Sequence, residues 1–138
     1  MILSNTSKYG LRAVIYLADN TENGSKIGIK KIAKDLEIPT PFLGKILQTL
    51  AKHKLLSSTK GPHGGFGLGK DPKDIKLLDV VTILEGQDLF DTCIISLKSC
   101  SSRCKENSPC ALHGKFENIR KSIVELFGTV TLESLSLE

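Results

Sequence analysis

The sequence lacks the features that mark exported and membrane-spanning chains. Residues 1–10 have neither the basic start nor the apolar core of a signal peptide. No apolar run approaches membrane-spanning length, since LLDVVTIL at 77–84 is short and carries Asp79. We therefore expect a cytoplasmic protein with no membrane partner.

Two arrangements typical of enzymes are also missing. No acid–base pair stands in a triad-like setting, and no glycine loop follows a strand in the manner of a phosphate site. An enzyme is not expected. The 138 residues, 40% hydrophobic and 25% charged, instead fit one compact domain with a projecting element.

Positive charge is concentrated in the first part of the chain. Residues 1–80 hold thirteen Lys and Arg against seven Asp and Glu, whereas 81–138 hold six against eight. A basic first part and a mildly acidic second part favour a polyanionic partner for the first part alone. Solvated surface lysines would explain the charge equally well.

Cysteine is absent outside a span of eighteen residues. All four cysteines fall there, at Cys93, Cys100, Cys104 and Cys110. In a cytosolic protein such a cluster is more often a metal site or a redox sensor than a set of disulfides. The spacing itself favours neither zinc nor an iron–sulfur cluster over the other.

Helical spacing of apolar residues predicts a helix-turn-helix. A first helix over 8–18 carries Leu11, Val14, Ile15 and Ala18 on one face, after the candidate N-caps at 4–7. A second helix follows at 27–38. A third, at 41–53, begins after the N-cap Thr40 and turns four apolar residues inward, which are Leu43, Ile46, Leu47 and Leu50.

A glycine-rich hairpin is predicted directly after this unit. A strand begins at Leu55 and Leu56, residues 61–65 form the turn, and the chain returns through 66–68. Lys60 and His63 lie at its tip, which favours a wing that contacts phosphates over a plain surface hairpin. A further helix over 77–85 is predicted to end at Gly86.

The last long helix, at 111–128, carries a narrow apolar stripe. The stripe steps by four, three, four and three residues through Leu112, Phe116, Ile119, Ile123 and Leu126. A chain this small offers little to cover it, so a second copy is expected to do so. Packing on the same chain is the alternative. The predicted fold class is mostly α with a small β-wing: a winged helix-turn-helix plus a long C-terminal dimerisation helix.

Three stretches resemble the winged-helix regulators of the IscR/NsrR type, which are bacterial repressors that contain iron–sulfur clusters. They are SKYGLRAVIYLA at 7–18, LGKILQTLAKHKLLSSTKGPHGGFGLGKD at 43–71, and Cys110-x-x-His113. The resemblance implies a homodimer on a double-stranded, dyad-symmetric DNA operator. It also implies a DNA-binding domain at 1–86, a cluster-binding loop at 87–110, and a dimerisation helix and tail at 111–138.

The resemblance also implies an iron–sulfur cluster, either 2Fe-2S or 4Fe-4S. Its ligands would be Cys93, Cys104 and Cys110, with Cys100 or His113 as the fourth. In several relatives an acidic residue near the N-terminus completes the site, but Lys8 stands there in this chain. Zinc would accept the same thiolates and imidazole. A zinc-stabilised or metal-free thiol-sensing interaction module is therefore the alternative function.

Candidate DNA contacts lie on the second and third helices and on the wing. A glutamine amide such as that of Gln48 can pair with adenine, and lysine can pair with guanine or phosphate. Gly44 stands where some relatives carry a base-reading acidic residue, which predicts a different operator. The candidates are Lys31, Thr40, Lys45, Gln48, Lys52, Lys60 and His63.

Overall fold

A computed structural model describes residues 3–21, 25–86 and 111–136. In this part the chain forms helices, one two-stranded antiparallel sheet and a single 3-10 turn, which confirms the predicted fold class. In chain order these are α1 (Asn5–Asn20), α2 (Ile29–Leu36), α3 (Thr40–Lys52), β1 (Leu56–Thr59), β2 (Gly65–Leu68), the 3-10 turn (Pro72–Asp74), α4 (Leu77–Glu85), α5 (Ala111–Thr129) and α6 (Leu132–Ser136).

The core forms where α1 packs against α3 and α4. All four residues that the sequence predicted to face inward from α3 are buried. In α1 the fully buried apolar residues are Ala13, Val14 and Leu17, so the predicted face is displaced, and Leu11 and Ile15 are only half-buried. Because α1 is covered from more than one side, its spacing alone does not locate the centre of burial.

Three helix starts differ from the sequence prediction, and the first is α1, which begins at Asn5 rather than Lys8. Thr40 is the first residue of α3 rather than its N-cap, because Pro39 occupies the cap position without a side-chain hydrogen bond. Helix α2 begins at Ile29 rather than Ile27. The reason is that Ile27 pairs with the wing, where its N–H donates to the Phe66 carbonyl at 2.9 Å and its carbonyl accepts from Phe66 N–H at 2.8 Å. Ser4, by contrast, caps α1 as predicted.

The wing has no room for side chains at the two glycines of β2, Gly65 and Gly67. Strands β1 and β2 pair from Leu56 with Leu68 to Thr59 with Gly65, and the segment before α2 adds the Ile27 bridge. A Cβ atom at Gly65 would lie 2.2 Å from the Ile27 carbonyl oxygen. This contact is with backbone, which cannot rotate away as a flexible side chain would.

We expect Gly65→Ala to destabilise the folded protein by about 2–3 kcal/mol, because overpacking against backbone forces the wing apart. Urea unfolding followed by circular dichroism measures the change. The matched control is Gly114→Ala on α5, where nothing lies within 4 Å of the added Cβ. Removing a helical glycine there should be neutral or stabilising. Equal unfolding midpoints for Gly65→Ala and the wild type would contradict the clash.

The end of the chain returns to the globular core. Leu77 N–H donates to the Val130 carbonyl at 3.2 Å, and Leu132 N–H donates to the Ile75 carbonyl at 3.0 Å. Leu132, in α6, is only 1% exposed and belongs to the core. The residues after 128 were predicted to be a tail, whereas in the structure they fix the end of α5 to the core.

Candidate nucleic-acid interface

The outer face of α3 is polar and exposed. Thr40, Lys45, Gln48 and Lys52 are all exposed, while the opposite face of the same helix is buried in the core. No carboxylate lies in this helix. The structure therefore brings these four predicted residues together on one basic and amide-bearing surface.

The wing tip adds two further predicted residues. Lys60 and His63 are exposed at the hairpin turn, which Gly64 N–H closes with a 3.0 Å hydrogen bond to the Gly61 carbonyl. Gly61 has φ +108, a conformation that favours glycine. The turn thus presents a cation and an imidazole beyond the end of the sheet.

Lys31 differs from the other candidates because its charge is paired. Its Nζ lies 3.2 Å from Asp35 Oδ2 on the same helix, although its side chain is 66% exposed. Asp35 also accepts a 2.5 Å hydrogen bond from the Tyr16 hydroxyl, which holds α2 against α1. The bonds from Tyr16 and Lys31 keep the pKa of the Asp35 carboxyl below its usual value. The same carboxylate raises the pKa of Tyr16 to about 12.

A cleft beside α3 was not foreseen from the sequence. It has a volume of about 400 Å³ between the start of α1, α3 and the end of α4, and its walls include Tyr9, Phe42, Lys45 and Leu84. Phe42 is 63% exposed. The signal available in the sequence was a large apolar residue directly after Pro41 that does not belong to the inward face of α3.

A carboxylate closes the first turn of α1. Ser4 N–H and the Ser7 hydroxyl donate to Glu85 Oε1 at 3.0 and 2.7 Å, and the Ser4 hydroxyl donates to the same oxygen. Burial raises the pKa of Glu85, but these hydrogen bonds outweigh burial, so its pKa lies below the usual value. The end of α4, where segment 87–110 begins, is therefore fixed to the start of α1.

The predicted metal ligands cannot be placed. Cys93, Cys100, Cys104 and Cys110 lie outside the described residues, and so does the side chain of His113. Within the described ranges no three His, Cys, Asp or Glu side chains gather into a metal site. The donor set itself, four thiols and one imidazole, has the chemistry that iron–sulfur clusters and zinc both accept.

The apolar stripe of α5 is open to solvent in the single chain. Ile119 is 56% and Leu126 53% exposed, whereas Phe116 and Ile123 are half-buried. A shallow depression runs between Ile119, Ile123 and Leu126. Leu112 lies outside the residues whose side chains are described. Packing on the same chain, the alternative raised above, does not cover the stripe at Ile119 and Leu126.

A helix-turn-helix with a paired wing and an exposed basic helix face defines the winged-helix class of DNA-binding regulators. The profile of the Rrf2 family, described as an iron-dependent transcriptional regulator, matches residues 3–138. The chain belongs to the Rrf2 family of transcriptional regulators. It is not an enzyme, since the family and the relatives found are regulators.

Relatives match along almost the whole chain. An HTH-type transcriptional regulator of Aquifex aeolicus is 35% identical over 135 residues, which cover 98% of this chain and 91% of the relative. The structure of CymR, the global cysteine regulator of B. subtilis, has a TM-score of 0.78 at 26% identity, covering 99% of this chain and 96% of CymR. T. potens IscR has a TM-score of 0.75 at 26% identity, covering 98% and 85%.

Across residues 3–21, 25–86 and 111–136, no helix has the length and apolar character needed to cross a bilayer.

Proposed function

We propose that this regulator binds a dyad-symmetric DNA operator as a homodimer and acts as a repressor in the cytoplasm. The observation that carries the proposal is the exposed face of α3, where Thr40, Lys45, Gln48 and Lys52 stand beside a wing tipped by Lys60 and His63. A recognition helix with such side chains reads the major groove, and wing cations neutralise phosphates. Lys31 would contribute less, because Asp35 already pairs its charge.

The homodimer rests on helix α5. Its exposed Ile119 and Leu126 would meet the same residues of a second copy, which gives an isologous, two-fold interface. Because α6 and the backbone bonds at Ile75 and Leu77 fix the end of α5 to the core, the dimer would set the distance between the two α3 helices. We accordingly retain 1–86, 87–110 and 111–138 as DNA-binding, sensing and dimerisation regions.

The proposed signal is iron–sulfur status, nitric oxide or redox state, received by a cluster on Cys93, Cys104 and Cys110 with Cys100 or His113. The donor chemistry and the description of the Rrf2 family as iron-dependent support a cluster. When bound, a cluster would supply iron-centred redox chemistry and iron sites for nitric oxide, in addition to the reactivity of the thiols themselves. This chain contributes Lys98, Arg103 and Lys105 near the cysteines, and their positive charge favours the thiolate form.

A metal-free thiol sensor is the second candidate. The structural similarity to IscR does not favour a cluster over this candidate, because a protein described as a global cysteine regulator matches this fold as well as IscR does. Zinc on the same ligands is the third. Visible absorption and metal content of protein purified without oxygen separate the three, since only an iron–sulfur cluster absorbs broadly in the visible range and contains sulfide.

Lys45→Ala and Lys60→Ala test the DNA interface as a pair. Operators selected from random duplexes should show dyad symmetry. Lys45→Ala should relax the preference at one base pair per half-site by about 1–3 kcal/mol, since it removes a base-edge contact. Lys60→Ala should weaken all duplexes alike and reduce the slope of log affinity against log salt by about 2, because the dimer has two wings. Fluorescence anisotropy across a salt series measures both.

The outcomes distinguish the two roles. If Lys45→Ala weakens every sequence equally, Lys45 contacts only the backbone. If selection yields no dyad and binding is insensitive to salt, the proposed function is wrong. Lys115→Ala on α5 is the matched loss of one positive charge, and it should leave binding near the wild-type level because Lys115 is exposed on α5, outside α3 and the wing.

A further inference from the structure

A second cavity of about 400 Å³ lies between α3 and β1, at the base of the wing. Its walls are Gln48, Thr49, Ala51, Lys52 and Ser58. None of these residues is acidic. Only Gln48 and Lys52 among them were predicted from the sequence to contact DNA. The structure adds Ser58, from the middle of β1, to the same wall.

Three of these side chains have polar groups that make no hydrogen bond or ion pair with the rest of the described chain. Gln48, Lys52 and Ser58 are exposed, and none has a side-chain hydrogen bond or ion pair among the described residues. Thr49 is different, since its hydroxyl donates to the Lys45 carbonyl at 2.8 Å. Ala51 is small and leaves the cavity open. The cavity therefore offers one ammonium, one amide and one hydroxyl to a ligand.

The position of the cavity indicates which ligand. When α3 lies in the major groove and the wing reaches towards the neighbouring minor groove, the sugar-phosphate strand that separates the two grooves must pass between α3 and the wing. The cavity lies between these two elements. A phosphate of that strand is the group that the geometry brings to Gln48, Lys52 and Ser58.

We propose that the cavity binds one phosphate of the DNA backbone in each half-site, and we call this site the phosphate seat, or the seat. The Lys52 ammonium neutralises its charge, and the Ser58 hydroxyl and the Gln48 amide donate hydrogen bonds to its oxygens. This inference rests on the proposed DNA-binding function and deepens it. The contact fixes how far α3 slides along the groove, so it sets register without reading sequence.

The assignment moves Gln48 from base reading to backbone binding. Gln48 lies eight residues after Thr40, which places it about 12 Å further along the helix axis. Recognition helices contact base edges mainly through their N-terminal residues, which here are Thr40 and Lys45. The pairing of Gln48 with adenine, expected from the sequence, becomes the competing outcome of the test.

Anisotropy titrations of the full-length dimer test the seat, with a selected operator and a scrambled duplex. Ser58→Ala should weaken binding to both duplexes by at least about tenfold, the value of one hydrogen bond to a charged group. Lys52→Gln should weaken both by about tenfold and lower the salt slope by about 2, because the dimer loses one phosphate contact in each half-site. Gln48→Ala should weaken both equally. Ser58 is exposed, so its variant should melt as the wild type does.

Matched controls and a modified operator sharpen the result. Thr59→Ala removes the neighbouring hydroxyl, which lies on the opposite face of β1. Lys115→Gln removes one positive charge on α5, outside α3 and the wing. Both variants should bind DNA as the wild type does. Neutral methylphosphonate is then placed at each backbone position in turn. One position per half-site should weaken the wild type about tenfold but leave Lys52→Gln nearly unaffected.

Several results would overturn the seat. Wild-type affinity for Ser58→Ala, or no methylphosphonate position to which Lys52→Gln has lost sensitivity, would show that the cavity holds no phosphate. A change of base preference in Gln48→Ala would return that residue to base reading. Each of these failures leaves operator binding by the wild type intact. Absence of any wild-type binding to DNA would instead overturn the proposed function, and the seat with it.

Discussion

Ile119→Glu is expected to convert the proposed homodimer into a monomer and to abolish binding to its proposed operator. Ile119 is 56% exposed in the single chain, at the centre of the apolar stripe of α5. In a two-fold interface the substitution appears twice, so two carboxylates enter one apolar contact. An unpaired charge in such a place costs about 3–5 kcal/mol, which corresponds to at least a hundredfold weaker dimer.

The same exposure makes the experiment interpretable. Because Ile119 belongs to the surface of the isolated chain, the monomeric variant should retain its helical content and its core. Lys121→Glu is the matched control, since it introduces the same carboxylate on an exposed position of α5 two residues away. It should remain dimeric. Analytical ultracentrifugation with circular dichroism reports mass and folding together, and a dimeric Ile119→Glu would show that another surface pairs the chains.

The sequence was sufficient for features that are set by residues close together in the chain. The inward residues of α3, the hairpin turn and the end of α4 at Gly86 all follow from local spacing or from the conformational freedom of glycine. Each depends on residues within a few positions of one another. From these features the sequence predicted a recognition helix that is followed directly by a wing.

Features that depend on distant pairing were not predictable in this way. Ile27 was predicted to lie in a helix, but its backbone pairs with that of Phe66, thirty-nine positions later. Leu132 reads as tail, but Ile75 and the core bury it. Ser58 carries no motif, and it became a candidate only because β1 places it beside Gln48 and Lys52. Tertiary contacts decide such cases, and local propensity does not.

Loss of single cysteines should affect the proposed cluster unequally. Cys93→Ala, Cys104→Ala and Cys110→Ala should each abolish stable cluster binding, because a cluster with fewer than four protein ligands exposes its iron to solvent and exchange. Of Cys100→Ala and His113→Ala, only one should do so, since these two compete for the fourth position. Iron and sulfide per protomer, measured in all five anaerobically prepared variants, test the prediction.

Cys110 should be the most sensitive position. It immediately precedes Ala111, where the nineteen-residue helix α5 begins, so the partial positive charge of that helix end would stabilise its thiolate. Serine at this position keeps the size of the side chain but not its soft sulfur, so Cys110→Ser should fail as Cys110→Ala does. Full cluster occupancy in Cys110→Ala would refute the ligand assignment. Full occupancy in Cys104→Ala would instead make Cys100 a ligand, and zinc without sulfide in the wild type would favour the zinc alternative.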